Sequence, residues 1–293
     1  MRILEGKMPF KGHETYYRIV NPDGNKTPLI LLHGGPGSTH NYLEVLDPLA
    51  ELDDRPLIMY DQIGCGLSMV TDHPELFTAQ VWKEELVALR DFLKLDQVHI
   101  LGQSWGGMLQ QIYQIEEQPE GVKSYIFSST LSSAKLWREE GMRRVNLMPD
   151  VHRQAILKAE ESNDYQSPDY LEALNAFMER YCCGPVTEDS PACLKRQKLA
   201  GSEAYLVGWG PNEFTPTGTL SGFEYTDRLK EISQSSLVIS GAMDLSSPYI
   251  AKTLYDHLPN AEWELFQYSR HMCYIDETAK YIDVLRDWLN RKD

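Results

Sequence analysis

The residues with the clearest chemical potential lie in segment 98–107, Val-His-Ile-Leu-Gly-Gln-Ser-Trp-Gly-Gly. An apolar run ends in Gly102-x-Ser104-x-Gly106, and an amphipathic stretch follows directly. This order of strand, sharp turn and helix is typical of a nucleophile elbow, which exposes a serine hydroxyl at the end of a parallel strand. Side chains two positions before or after the serine would collide across the turn, which favours glycine at both positions. We therefore predict that Ser104 is a nucleophile; the alternative is an ordinary strand-to-helix turn.

A serine hydroxyl needs a neighbouring base, and two later segments supply the expected partners. The apolar run 237–240 leads to Asp244, and the strand-like run that ends at 266 leads to His271. The chain order serine, aspartate, histidine is that of the α/β-hydrolase triad. We expect His271 to take the Ser104 proton and later return it to the leaving amine, while Asp244 orients the imidazole. Taken alone, Asp244 could be a turn or helix-cap residue, and His271 could be an unpartnered loop histidine.

A glycine-rich loop, His33-Gly-Gly-Pro-Gly37, follows the first buried apolar run and offers backbone N–H groups that no side chain obstructs. We predict that the N–H groups of Gly35 and Trp105 bind the oxyanion of a tetrahedral intermediate, and that Gly34 lines the substrate site. The loop lacks the Lys-Ser/Thr ending of a phosphate-binding loop and does not match the dinucleotide fingerprint. The sequence contains no His-Glu-x-x-His or Cys-x-x-Cys pattern, so we expect no metal site.

Short apolar runs alternate with helical patterns along most of the chain, which predicts a mostly parallel sheet flanked by helices, the α/β-hydrolase fold. The alternation stops near residue 131 and resumes near residue 235. We therefore expect a catalytic domain over residues 1–131 and 226–293, with a helical cap domain inserted at 132–225. The apolar runs lie at residues 29–33, 56–60, 98–101, 124–128, 237–240 and 262–266.

Two local patterns add detail to this arrangement. The first thirty residues predict two short strands around the turn Asn-Pro-Asp-Gly-Asn at 21–25. Ser-Pro at 167–168 and at 190–191 are helix-start signals within the cap. The first of these helices is expected to bury one face, which carries Leu171, Leu174, Met178 and Tyr181.

Charge and composition exclude several classes of partner. The chain of 293 residues carries 28 Lys and Arg against 43 Asp and Glu, a formal net charge of −15. Such a surface repels phosphate backbones and anionic lipids, so we expect no nucleic-acid or membrane partner. We expect no signal peptide and no membrane span, because no run approaches the ~20 apolar residues that a span needs. Five cysteines without metal spacing predict reduced thiols in a cytoplasmic protein. The oligomeric state is not predictable.

Four motifs resemble those of the proline iminopeptidase (prolyl aminopeptidase) family of α/β-hydrolase fold serine peptidases, and the resemblance covers nearly the whole chain. Two of them, at 33–37 and 102–107, recur in many hydrolases. The other two, Tyr-Asp-Gln-Ile-Gly-Cys-Gly-Leu-Ser at 60–68 and Gly-Pro-Asn-Glu-Phe at 210–214, are more specific. The resemblance implies that a free N-terminal residue, preferably proline, is cleaved from a short peptide without a cofactor.

The resemblance also implies how the substrate is recognised. The family binds the substrate's α-amine with carboxylates, and the motif match gives this role to Glu213. The role is physically reasonable because a desolvated ammonium group must be paired, and the alternative is a solvated glutamate of the cap. Trp105, Trp209, Phe214 and Tyr205 are candidate walls for a flat pyrrolidine ring, and the alternative for each is a core aromatic.

One departure from the family pattern bears on the substrate. Leu245 stands where some members carry a second amine-binding glutamate after the catalytic aspartate. Asp61 or Glu203 could take its place. The departure leaves room for a relative that hydrolyses amino-acid amides or esters, such as a prolinamide hydrolase. A non-catalytic small-molecule-binding protein on this fold is a further alternative. A dehalogenase is disfavoured because its elbow carries an aspartate.

Overall fold

The computed structural model describes residues 2–293 of the chain. Within that range the strands are β1 (Ile3–Phe10), β2 (His13–Val20), β3 (Leu29–Leu32), β4 (Leu57–Tyr60), β5 (Val98–Gln103), β6 (Val122–Ser128), β7 (Ser235–Gly241) and β8 (Ala261–Phe266). The helices are α1 (Asp47–Leu52), α2 (Ala79–Leu93), α3 (Trp105–Glu117), α4 (Ala134–Val145), α5 (Asp150–Ser162), α6 (Pro168–Tyr181), α7 (Ala192–Lys195), α8 (Ser202–Gly208), α9 (Pro248–His257), α10 (Cys273–Asp276) and α11 (Thr278–Lys292).

These strands form one sheet, in the order β1-β2-β4-β3-β5-β6-β7-β8. β2 pairs antiparallel with both β1 and β4, whereas the remaining neighbours pair parallel. A parallel sheet brings the carboxyl ends of its strands to one edge, where side chains from distant segments can meet. The predicted α/β class, with a mostly parallel sheet flanked by helices, is confirmed.

Both faces of the sheet are buried, which explains why β3 is apolar at every position. Leu29 and Leu31 belong to one hydrophobic core, and Ile30 and Leu32 belong to the other, because successive side chains of a strand point to opposite faces. Helices α2, α3 and α9 cover one face, and α1 and α11 cover the other. Continuous apolar strands are the expected sequence signature of such a sheet.

The N-terminal hairpin differs from the prediction. β1 and β2 are joined by Lys11 and Gly12, whose φ angles are 45° and 82°, and the turn at 21–25 instead connects β2 to β3. Positive φ at two successive residues gives a tight turn whose twist matches that of paired strands. The cluster of Asn, Pro, Asp and Gly is a stronger turn signal than Lys-Gly, so sequence alone places the hairpin wrongly.

Helices α4 to α8 lie between β6 and β7, in the stretch where the alternation of strands and helices is expected to stop. The division into a catalytic domain and a cap domain, with boundaries at 131/132 and 225/226, stays a prediction. Throughout residues 2–293, none of the helices combines the length and the apolar character that crossing a bilayer requires.

The buried face of α6 is rotated by one position from the predicted one. Leu171 is 42% exposed, while Phe177 packs edge-to-face on Phe214 with ring centroids 4.8 Å apart. Aromatic rings bury more apolar area than leucine side chains, so the aromatic stripe faces the core. Periodicity alone cannot separate two adjacent apolar stripes. The buried residues of the helix are Tyr170, Ala173, Phe177 and Tyr181.

Candidate active site

Ser104 occupies the sharp turn between β5 and α3. Its backbone has φ 53° and ψ −119°, a combination that L-residues rarely adopt and that costs of order 1–3 kcal/mol. A β-carbon on Gly102 would lie 2.3 Å from the Gly106 carbonyl oxygen, and one on Gly106 would lie 2.2 Å from that of Leu32. Glycine is needed at both flanking positions, as predicted, but the collision across the turn occurs only at 102, and the one at 106 is with strand β3. The backbone here has the form of a nucleophile elbow.

Asp244 and His271 lie on the loops that follow β7 and β8. The imidazole Nδ1 of His271 is 2.7 Å from Asp244 Oδ1. Asp244 is fully buried and also accepts the N–H groups of Gly241 and Ser246, at 3.1 and 2.8 Å. In the triad arrangement the aspartate carboxylate accepts the hydrogen bond from Nδ1–H of the imidazole. The other imidazole nitrogen, Nε2, is then the basic one.

Ser104 and His271 line the same cavity, but within residues 2–293 no hydrogen bond joins the serine hydroxyl to the imidazole. Nε2 of His271 instead lies 3.0 Å from the side-chain nitrogen of Gln103. Catalytic hydrogen bonds are often long in unliganded enzymes and tighten when substrate binds. Two of the three predicted triad residues are thus in contact, and Gln103 contacts the imidazole nitrogen that Ser104 would use.

The main-chain carbonyl of Tyr181, at the end of α6, joins the two loops. It accepts the N–H of Leu245 at 3.1 Å and the N–H of His271 at 3.0 Å. The Arg144 guanidinium, from α4, lies 4.7 Å from the centre of the Tyr181 ring, and burial lowers the pKa of Arg144. The inserted helices therefore hold the loops that carry the predicted acid and base.

The predicted oxyanion donors, Gly35 and Trp105, have backbone N–H groups with no acceptor in the described part of the chain. Trp105 is the first residue of α3, so its N–H has no partner within the helix. Gly35 has φ 114°, and a β-carbon there would lie 2.7 Å from the backbone nitrogens of Gly37 and Ser38. The role of these N–H groups as oxyanion donors stays a prediction.

Residues of the 60–68 motif support the glycine-rich loop. The N–H of Gln62 donates to His33 Nε2 at 3.0 Å, and Gln62 Nε2 donates to the His33 carbonyl at 3.2 Å. Gln62 Oε1 accepts the indole N–H of Trp105 at 2.7 Å, which links this loop to the elbow. Burial lowers the pKa of His33 to about 4. Its imidazole is therefore a neutral structural group at neutral pH.

A cavity of about 520 Å³ lies over the elbow. Ser104 and His271 line it together with Gly34 and Gly35 of the glycine-rich loop. Among the described residues, Glu213 is the one carboxylate in the lining. Lys198 also lines the cavity, which thus combines a hydroxyl, an imidazole, one carboxylate and one lysine amine in a space large enough for a short peptide.

Glu213 is half-buried in the loop after α8. Its Oε1 accepts a hydrogen bond from the Tyr205 hydroxyl at 2.7 Å, and its main-chain carbonyl accepts the indole N–H of Trp137 at 2.9 Å. Burial raises the pKa of Glu213, although the Tyr205 hydrogen bond and the charge of His271 act in the opposite direction. An ammonium group in the cavity would pair with this carboxylate and favour its ionised form.

The predicted pocket residues fall into two groups. Gly34 and Tyr205 line the cavity. Trp105, Trp209 and Phe214 lie outside the lining found for residues 2–293, and they are 1%, 3% and 1% exposed. These three are core aromatics packed behind the cavity, which was the alternative for each.

Leu245, which stands where a second amine-binding glutamate would follow the aspartate, lines the cavity. Neither candidate substitute reaches the lining described for this chain. Asp61 is buried and lies 2.8 Å from His40 Nδ1, and Glu203 accepts a backbone N–H from an exposed loop. In the described lining an amine would therefore meet one carboxylate, Glu213, and one cationic side chain, Lys198.

Three further side chains near the site were not found from the sequence. Gln103 contacts His271, Tyr42 contacts Gln103 at 2.8 Å, and the Trp137 ring lies edge-on to His271 with centroids 6.1 Å apart. Gln103 was identifiable in principle, because it directly precedes Ser104 on the same strand. Tyr42 and Trp137 belong to no motif, and only the folded chain brings them to the site.

Comparisons with known proteins agree with this geometry. Residues 27–278 match the family model described as alpha/beta hydrolase fold. The chain is 63% identical over 295 residues to the proline iminopeptidase of Clostridioides difficile strain 630, with 100% of both chains covered. It is 55% identical over 294 residues to that of Clostridium botulinum strain Hall, again with 100% of both covered. The crystal structure of a proline iminopeptidase from Mycobacterium smegmatis has a TM-score of 0.88 at 30% identity, covering 99% of this chain and 98% of that chain.

The sheet topology, the elbow and the family match together define an α/β-hydrolase. Full-length identity to curated relatives narrows the class to serine hydrolases that act as aminopeptidases. The chain belongs to the proline iminopeptidase family. The resemblance seen in the four sequence motifs is thereby confirmed.

Proposed function

We propose that the protein removes N-terminal proline from short peptides by way of an acyl-enzyme on Ser104. One observation carries the proposal: the cavity over Ser104 is lined by both His271 and Glu213. Ser104 and His271 can cleave an acyl bond, and Glu213 can hold a free amine beside it. The names of the full-length relatives support proline as the residue released.

The acylation step follows from the tautomer of His271. With Nδ1–H bonded to Asp244, Nε2 accepts the Ser104 proton as Oγ attacks the prolyl carbonyl carbon. The N–H groups of Gly35 and Trp105 donate hydrogen bonds to the carbonyl oxygen and stabilise the negative charge that develops on it. When the C–N bond breaks, the imidazolium proton passes to the leaving amine.

Deacylation repeats this sequence with water. His271 removes a proton from the water molecule, the hydroxide oxygen attacks the prolyl ester, and the proton returns to Ser104 as proline leaves. The proton passes only between the imidazole and the reacting oxygens, so no net proton is gained or lost by the enzyme over the cycle. Asp244 stabilises the imidazolium in both halves of the cycle.

Glu213 supports the exopeptidase specificity. The α-ammonium of a terminal proline would pair with Glu213, while the pyrrolidine ring contacts the apolar surface that includes Leu245. An internal proline has no ammonium group, so it would leave a desolvated carboxylate without a partner. The site thereby selects a chain end over an internal bond.

A panel of four substrates tests the proposed function. We expect efficient cleavage of proline p-nitroanilide and of the dipeptide Pro-Gly, and a loss of at least ~10²-fold for N-acetylproline p-nitroanilide, which lacks the ammonium group. Prolinamide completes the panel. Rapid prolinamide hydrolysis with negligible Pro-Gly cleavage would replace the aminopeptidase by an amidase.

The cellular setting is part of the same proposal. All five cysteines, at 65, 182, 183, 193 and 273, carry free thiols. Free thiols are usual in the reducing cytoplasm and uncommon in exported proteins. We therefore infer that the enzyme acts on short peptides in the cytoplasm.

A further inference from the structure

We propose that the Gln103 side chain is a resting-state latch, which occupies the basic nitrogen of His271 until substrate displaces it. The inference rests on the proposed function only in taking Ser104 as the nucleophile and His271 as its base. It assigns Gln103 as a positioning residue that acts through His271.

The hydrogen bonds of the latch begin at a backbone N–H group, which can only donate. The N–H of Gly34 donates to the Tyr42 hydroxyl oxygen at 2.5 Å. That hydroxyl in turn lies 2.8 Å from Gln103 Oε1. Because the Tyr42 oxygen already accepts from Gly34, its own hydrogen is directed at Gln103, and Oε1 is the accepting end of the amide.

The orientation of the Gln103 amide then fixes the state of His271. With Oε1 held by Tyr42, the amide nitrogen is the atom 3.0 Å from His271 Nε2. An amide nitrogen can only donate, so Nε2 must accept and must be unprotonated. The remaining proton lies on Nδ1, which faces Asp244 at 2.7 Å. One directional chain of hydrogen bonds thus runs from Gly34 to Asp244.

Packing leaves the residues of this hydrogen-bond chain little freedom to move. Gln103 and Tyr42 are 2% and 1% exposed. A β-carbon on Gly34 would lie 2.6 Å from Gln103 Oε1 and 3.0 Å from Ser104 Cβ, so glycine at 34 makes room for the amide. The arrangement is therefore a built contact between the glycine-rich loop, the elbow and the catalytic base.

The chemical consequence is competition for one lone pair. Ser104 must donate to the same Nε2 that Gln103 occupies, so the latched enzyme has a weakly activated hydroxyl. A substrate that enters the cavity can turn the amide aside and release Nε2 to Ser104. The latch stabilises the resting imidazole but not the transition state, in which Nε2 carries a proton.

Other charges surround His271 but remain the same when Gln103 is changed. Asp244 contacts Nδ1, Glu213 and Lys198 share the cavity, and Cys183 lies close enough to interact with the imidazole charge. Arg144 acts on Asp244, and the neighbouring Arg270 is paired with Asp276 at 2.6 Å. A matched change at Gln103 therefore isolates the contribution of the amide.

The test is the rate of Ser104 labelling by a fluorophosphonate, measured from about pH 5 to about pH 9. In Gln103→Met, which keeps the side-chain length but cannot donate, we expect labelling to be about fivefold faster on the alkaline plateau. The midpoint of the acidic limb should rise by about 0.7 pH unit, because the same lost hydrogen bond sets both changes. At acidic pH the two curves should converge.

Gln103→Glu is the second variant, and it is nearly isosteric with the native residue. A carboxylate beside Nε2 favours the protonated imidazole, so we expect the midpoint to rise by more than about one pH unit and labelling at neutral pH to fall. At neutral pH the two variants thus change the labelling rate in opposite directions. A residue that only supported the structure would slow labelling in both variants by a similar factor at every pH, and that result would overturn the proposal.

Gln110→Met is the matched control. Gln110 is a buried glutamine of α3 whose amide donates to the Ile126 carbonyl at 3.0 Å, away from His271. Its labelling profile should keep the wild-type midpoint, and a midpoint that moves as in Gln103→Met would contradict the latch. Because a fluorophosphonate reacts with any activated serine, the latch is tested even if proline substrates are refused, so the two proposals fail separately.

Discussion

Replacing Ser104 by alanine is expected to reduce kcat/KM for proline p-nitroanilide by about 10⁴-fold or more. The reason is that the acyl bond forms on its hydroxyl, and no neighbouring group can take over that bond at the strained turn where φ is 53°. The double variant with His271→Ala should be hardly worse than the single one, because the two side chains act as a unit. Steady-state kinetics on the purified variants gives both values.

A matched serine controls for effects on folding. Ser132 is buried and its hydroxyl lies 2.8 Å from that of Thr226, outside the cavity lining. Ser132→Ala should keep kcat/KM within about threefold, since one neutral hydrogen bond is worth only about 1 kcal/mol of stability. If Ser104→Ala kept activity within about tenfold of wild type, the nucleophile would have to be another residue.

The second large effect concerns the amine anchor. Glu213→Gln should lower kcat/KM for proline p-nitroanilide by about 10²–10³-fold, because a desolvated ammonium loses its only carboxylate in the described cavity. Turnover of a neutral ester without an amine, such as p-nitrophenyl acetate, should change by less than about threefold. Glu203→Gln, at a carboxylate outside the cavity lining, is the control and should leave both substrates unaffected.

The pH dependence provides an independent readout for Glu213. Burial raises the pKa of this carboxyl group, and only its ionised form pairs with an ammonium. As pH falls through that raised value, kcat/KM for the free-amine substrate should fall relative to the neutral ester. In Glu213→Gln the ratio between the two substrates should no longer depend on pH over that range. Equal losses on both substrates at every pH would remove the anchor role.

Local sterics and chain order made much of the site predictable. A β-carbon at 102 would collide across the elbow, and one at 106 would collide with the neighbouring strand β3. The need for glycine at both positions can be read from the Gly-x-Ser-x-Gly spacing. Serine, aspartate and histidine occur in the order of the triad, and each follows the end of an apolar run that forms a parallel strand. The sheet topology then brings those ends to one edge, so distant residues converge for a reason that the sequence contains.

Contacts that depend on packing were not predictable in the same way. Trp209 directly precedes the 210–214 motif and Phe214 ends it, yet both are buried behind the cavity. The Tyr181 carbonyl that holds both catalytic loops is a backbone group, and no side-chain pattern identifies it. The Gln103 amide acts through an orientation that Tyr42 imposes from a distant segment.

The same limit explains the two errors in the secondary structure. The hairpin at Lys11 and Gly12 depends on backbone angles, whereas composition favours the turn at 21–25. The buried face of α6 depends on which of two adjacent apolar stripes meets Phe214. Each choice is decided by tertiary contacts that local periodicity does not contain.

The account depends most directly on a prolyl group passing through one hydroxyl. Wild-type enzyme mixed with proline p-nitrophenyl ester, quenched in acid within its first turnovers and digested, can be analysed by mass spectrometry. We expect one prolyl adduct, on the peptide that contains Ser104, and no adduct in Ser104→Ala. A burst of nitrophenol with the prolyl group on another residue, for instance Cys182 in the cavity wall, would contradict the account.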